Sequence, residues 1–156
     1  MQIQIDYRLT GSGWAECTVS SGERTCLVTA SYLSDALRNL VLAANGVLAG
    51  FSALTFRFDE EPGEFRWVIT APRQNEVQID ILQFPELWGG RPDAEGISFY
   101  TSRCRPIVFA KAVADAARRV LEAHGESGYH EKWDAHPFPA AQYAALVKAI
   151  EQDGGD

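Results

Sequence analysis

Residues 53–81 read ALTFRFDEEPGEFRWVITAPRQNEVQIDI, and this stretch decides the fold. Phe56 and Phe58 alternate with Arg57 and Asp59, Phe65, Trp67 and Ile69 with Arg66 and Val68, and Val77, Ile79 and Ile81 with Gln78 and Asp80. Alternation of period two marks strands with one buried face. Glu61-Pro62-Gly63-Glu64 and Pro72-Arg73-Gln74 carry turn residues between them, so the stretch reads as a three-stranded antiparallel meander. The first turn is expected to pair Phe58 with Trp67 and Phe56 with Ile69. The second is expected to pair Trp67 with Ile79, Ile69 with Val77 and Phe65 with Ile81. On the opposite face these registers set Asp59 across from Arg66 and Arg66 across from Asp80, opposite-charge pairs worth about 0.2–1 kcal/mol each.

Upstream, Ile3, Ile5, Tyr7 and Leu9 alternate with polar residues, and Gly11-Ser12-Gly13 turns the chain. Ala15, Cys17 and Val19 then face Cys26, Val28 and Ala30 across a hairpin at Ser21-Gly22, a register that puts Cys17 opposite Cys26. A helix follows, with Ser31 or Ser34 as its cap and Leu33, Leu37, Leu40, Val41, Ala44 and Leu48 at helical spacing. Gly50 suits its end, while Gly46 inside it costs about 1 kcal/mol against Ala.

Downstream, a loop from Pro85 to Gly96 leads to a strand around Ile97–Cys104. Pro106 opens a helix that Gly125 ends. A connector runs to His136-Pro137-Phe138, and Pro139 starts a last helix carrying Tyr143, Leu146, Val147 and Ile150. The tail Gln152–Asp156 is expected to fray. The order is three strands, a helix, four strands, then two helices. Strands grouped in this way predict one α+β domain over residues 1–156, with a mainly antiparallel sheet of about seven strands. The helices are expected on the face that carries Phe56, Phe58, Trp67 and Ile79.

The chain has 156 residues, 46% of them hydrophobic and 22% charged, and a net charge of −7. That is the composition of an ordinary globular chain of a size that buries about 70% of its unfolded surface. The acidity excludes sequence-independent nucleic-acid binding, which needs cations against phosphates, and argues against docking on anionic membranes. The start lacks the charged and apolar regions of a signal peptide, so a cytoplasmic location is expected. Three cysteines, Cys17, Cys26 and Cys104, then read as reduced thiols, although the hairpin geometry also admits a Cys17–Cys26 bond.

Chemistry-bearing motifs are sparse. There is no GxxxxGK[ST], GxGxxG or GxSxG, no CxxC pair and no HExxH, so the reading leans away from an enzyme and calls for no cofactor and no metal. Three places stand out. Asp59, Glu60, Glu61 and Glu64 gather at one hairpin tip, either a solvated turn or a negative patch for a basic protein. The stretch Leu87-Trp88-Gly89-Gly90-Arg91-Pro92-Asp93 lies in a loop, Pro85 to Gly96, that at about twelve residues is long for a compact domain, and Trp and Arg are enriched where interfaces bind tightly. Tyr129, His130, Trp133 and His136 could line a small-molecule pocket, or the segment could clamp the last helix onto the core.

The strings Ala30–Leu37, Glu61–Trp67 and Trp133–Pro139 resemble a family of small uncharacterised bacterial proteins, over nearly the whole chain. In size, acidity and layout that family is similar to the immunity proteins of bacterial toxin systems, a likeness of fold level. The resemblance carries over no catalytic residue, and the likeness to immunity proteins implies a toxin as partner. The expectation from the sequence is therefore a non-enzymatic protein-binding module using Glu60, Glu61, Glu64, Trp88 and Arg91. The alternative is a small-molecule binding protein or minor enzyme with its pocket at Tyr129–Phe138. A homodimer through the charged sheet face is also compatible with the pattern.

Overall fold

The computed structural model describes residues 2–134 and 136–154. Three strands, β1 (Gln4–Gly11), β2 (Trp14–Ser21) and β3 (Arg24–Ser31), lead into α1 (Ala36–Leu48). Four more follow, β4 (Ala53–Asp59), β5 (Glu64–Arg73), β6 (Glu76–Phe84) and β7 (Ile97–Cys104), and then α2 (Pro106–Trp133) and α3 (Ala140–Gly154). The fold is α+β, and every strand pairing is antiparallel.

The expected continuous sheet is instead two sheets, β1-β2-β3 and β4-β5-β6-β7. The edge strand β3 touches both β4 and β7 without pairing with either. Side chains make the joints. At one end the Asp59 amide donates to Ser34 Oγ at 3.0 Å, and at the other the hydroxyls of Ser21 and Tyr100 bond at 2.6 Å. The face carrying Phe58, Trp67, Ile69 and Ile79 is therefore covered by the first sheet as well as by helices. Tyr7 of β1 meets Phe58 edge-on, with ring centroids 6.3 Å apart.

The expected apolar faces turn towards the core, with Leu9, Leu48 and Phe56 only partly buried, but each hairpin register lies two residues from the expected one. The first four-stranded hairpin closes over Glu60–Gly63, with Asp59 opposite Glu64, so Phe58 pairs with Phe65 and Phe56 with Trp67. In the next, Trp67 pairs with Ile81 and Ile69 with Ile79, and a bulge between Thr70 and Arg73 absorbs the difference at the turn. A slip of two leaves every side chain on its own face, which is why the pattern could not detect it. The charge ladder does change. Arg57 stands opposite Arg66, Asp59 opposite Glu64, and Asp80 opposite Val68.

The first hairpin shifts likewise. Its loop is Gly22-Glu23, so Val19 faces Cys26, and Cys17 faces Val28. Cys17, Cys26 and Cys104 are free and buried.

At α1 the N-cap position falls on Asp35, and neither serine caps the helix: Ser34 Oγ accepts from Asp59 and Ser31 Oγ from the Leu33 amide. Gly46 lies under the Leu54 side chain, since a Cβ there would stand 2.9 Å from Leu54 Cδ1, the flexible end of that side chain. The expected break at Gly125 is present as a kink within α2, at φ +67°, a backbone conformation that glycine adopts without strain. Beyond it, a second helical segment carries Tyr129 and Trp133 into the core. Of the tail expected to fray, Gln152 to Gly154 form the last turn of α3, and Gly155 and Asp156 lie outside the described residues.

Candidate functional site

The hairpin tip and the loop after β6 are far apart in sequence, yet the fold makes them one surface. Gly63 allows it, because a Cβ at that position would overlap the carbonyl oxygen of Phe84. The β4–β5 turn therefore lies directly on the end of β6. The Leu87 amide then donates to the Pro62 carbonyl at 2.8 Å, and the indole Nε1 of Trp88 donates to Asp59 Oδ2 at 3.2 Å. Trp88 has a φ of +54°, a conformation uncommon for a bulky residue. Its side chain is 60% exposed all the same.

Beneath the loop is a compact charged array. Asp59 and Glu64 are each 2% exposed. Asp59 Oδ1 lies 3.2 Å from Arg57 Nε, and Glu64 Oε2 lies 3.7 Å from Arg66 Nε. Like charges are thus directly opposed across the strands, and each is neutralised along its own strand. Arg66 also donates to the Arg91 carbonyl at 2.7 Å and to Asp93 Oδ1 at 2.9 Å, and its guanidinium sits 4.0 Å over the Phe84 ring. One partly buried cation therefore straps the loop to the sheet.

The expected partner-binding residues divide accordingly. Glu60, Glu61, Trp88 and Arg91 share the surface, with Arg91 paired to Glu86 at 3.2 Å. Glu64 departs from the expectation: it is buried and committed to Arg66, and so contributes from below. Asp59, expected as a ladder rung and as part of the acidic tip, and Arg57, expected only on the polar face of its strand, are what position Trp88. Nothing in the sequence joins residue 59 to residue 88, and only the Gly63 contact gives a hint.

The second candidate is a packed joint. Tyr129 and Trp133 are fully buried, and Phe138 closes on Tyr129 with ring centroids 5.6 Å apart. Trp133 Nε1 donates to the Ser34 carbonyl at 3.2 Å. His136 lies 3.0 Å from the Tyr32 carbonyl through Nε2 and 3.6 Å from Asp35 Oδ2 through Nδ1. His130 is exposed and takes no part. The rings of Tyr129, Trp133, Phe138 and Tyr143 pack on one another at the place the alternative reading gave to a small-molecule pocket.

No family model, curated protein or solved structure matches the chain.

The thiols are not set up as nucleophiles. Burial pushes the Cys26 and Cys104 thiols up to about 11, and Cys17 higher still, so none is the depressed, accessible thiolate that reacts. Among the described residues no three His, Cys, Asp or Glu side chains gather as metal ligands. No described helix is long and apolar enough to cross a membrane.

Proposed function

We propose that the chain is a non-enzymatic module that binds a basic protein partner through Trp88 and the Glu60–Glu61 tip, with an immunity-type role against a bacterial toxin as its specific form. The observation that carries the reading is the 3.2 Å bond from the Trp88 indole to a buried Asp59. An indole that is mostly solvent-exposed yet fixed from beneath matches what interface anchors need, large area at low cost of ordering. Glu60 and Glu61 beside it supply the negative field that speeds encounter with a cationic partner. Arg91 is held by Glu86 at the rim. The buried, free thiols fit a reducing compartment such as the cytoplasm.

The test is capture from a lysate of the source organism by the immobilised chain, compared with Trp88→Ala and with Glu60→Lys/Glu61→Lys. A captured basic protein should bind the Trp88→Ala chain about 30-fold more weakly, the loss typical of an interface anchor. Capture unchanged by both variants defeats the reading.

A further inference from the structure

A cleft of about 480 Å³ runs between the free edge of β1 and the first half of α2, a volume usual for small-molecule sites. Its floor is apolar, with Ile3 and Ile5 on the strand side and Val108 and Ala112 on the helix side. Arg119 ties the two walls together at one end. It donates through Nη2 to the Ile5 carbonyl at 3.2 Å and through Nε to the Asp115 carbonyl at 3.2 Å. A strand residue points its N–H and C=O to the same side, so the Ile5 N–H faces the cleft as well.

The charges lining the cleft do not cancel. Both carboxylates are already paired, Asp6 with Arg8 at 3.3 Å and Arg119 at 3.7 Å, and Asp115 with Arg118 at 3.6 Å. Arg105 and Lys111 line the cleft too, and neither forms an ion pair among the described residues. A chain of net charge −7 thus holds two unopposed cations at one concave place. They are separated by about 9 Å along α2, a span that two long side chains can close around one group.

We infer that this cleft binds a small phosphate monoester with a hydroxylated body, its phosphate held by Arg105 and Lys111. Two unopposed cations match a dianion, and a monoester carries about two negative charges near neutral pH. A carboxylate, with a single charge, leaves one cation unanswered. Arg105 can take two phosphate oxygens through its planar fork, and Lys111 adds a point charge. Gln4, Thr18 and Ser20 border the same cleft with amide and hydroxyl groups that suit a hydroxylated body. The apolar floor covers its carbon skeleton. None of these residues belongs to the Trp88 surface, so the cleft stands apart from the protein-binding reading.

The test is titration of the isotope-labelled full chain with glycerophosphate, read by amide chemical shifts, with glycerate as the singly charged comparison. Saturable shifts are expected at Ile3–Asp6 and Val108–Ala112. Arg105→Gln and Lys111→Gln should each weaken binding about 10-fold or more. Arg38→Gln, which removes an exposed cation on α1, should leave binding unchanged. Arg105 and Lys111 are themselves exposed, so their variants keep the fold, and the dispersion of the same spectra checks it. No saturable shift up to about 10 mM ligand overturns the site. So does equal weakening by Arg38→Gln, which marks an effect of bulk charge, and so does glycerate binding as tightly as the phosphate.

Discussion

The indole of Trp88 and the carboxylate of Asp59 lie 29 residues apart in sequence and 3.2 Å apart in space. Asp59 is held in turn by Arg57 at 3.2 Å, so an exposed aromatic is positioned by a buried carboxylate whose own ion-pair partner is half exposed.

Replacing Asp59 should therefore release the loop without unfolding the sheet. Asp59→Ala leaves the Trp88 N–H without its acceptor and the Arg57 guanidinium without its counter-ion, and Arg57 is half exposed and can turn to water. The expected cost is about 1–3 kcal/mol by chemical denaturation. Faster hydrogen exchange should appear at the Leu87 amide, which is bonded to Pro62. Unchanged exchange there would show that the bond does not hold the loop.

Trp88→Ala should separate binding from stability. With most of its side chain in water, Trp88 contributes little burial, and its removal should shift unfolding by no more than about 1 kcal/mol. Denaturant midpoints of the variant and the parent chain check this directly. A large loss would recast Trp88 as a structural residue.

Gly63→Ala tests the seat of the whole surface. The added Cβ overlaps the Phe84 carbonyl, and backbone cannot give way as a flexible side chain can. Destabilisation of about 1–3 kcal/mol is expected, with lost protection at the Glu60 amide that closes the turn on Gly63 at 2.9 Å. Gly46→Ala is the control. Its nearest neighbour is the flexible end of Leu54, and gained helix propensity of about 1 kcal/mol offsets the crowding.

The buried thiols set an alkaline limit. Cys26 and Cys104 rise from 9.0 in the free thiol to about 11 in the fold, by burial first. Above pH 9 the unfolded chain loses these protons while the folded chain keeps them. The thiol contribution to stability is therefore full below pH 9 and is lost as pH rises towards 11. Urea midpoints measured from pH 8 to 11 should fall, and fall less in a Cys17→Ala/Cys26→Ala/Cys104→Ala chain. Equal slopes would contradict the assignment. A thiol reagent should react only on unfolding.

The meander shows where sequence reading succeeds and stops. Phe58, Trp67, Ile69 and Ile79 are all buried as their alternation requires. Their partners nevertheless differ by two residues, because alternation is blind to a slip of two and the turn conformation decides the register. The charges suffered most from that slip. A ladder of opposite charges became opposed like charges, Arg57 against Arg66 and Asp59 against Glu64, rescued by pairing along each strand. Of the candidate surface, Glu60, Glu61, Trp88 and Arg91 could be picked out one by one. The burial of Glu64 could not, because it depends on a loop that arrives from beyond the next strand.

By itself the sequence determined the classes of the elements, their order and the buried face of each, since period and turn residues are local properties of the chain. Tertiary structure alone decided the division into two sheets, the registers and the fate of each charge. Those outcomes rest on contacts such as Gly63 with Phe84 and Trp88 with Asp59, where the energy depends on positions that meet only once the chain has folded.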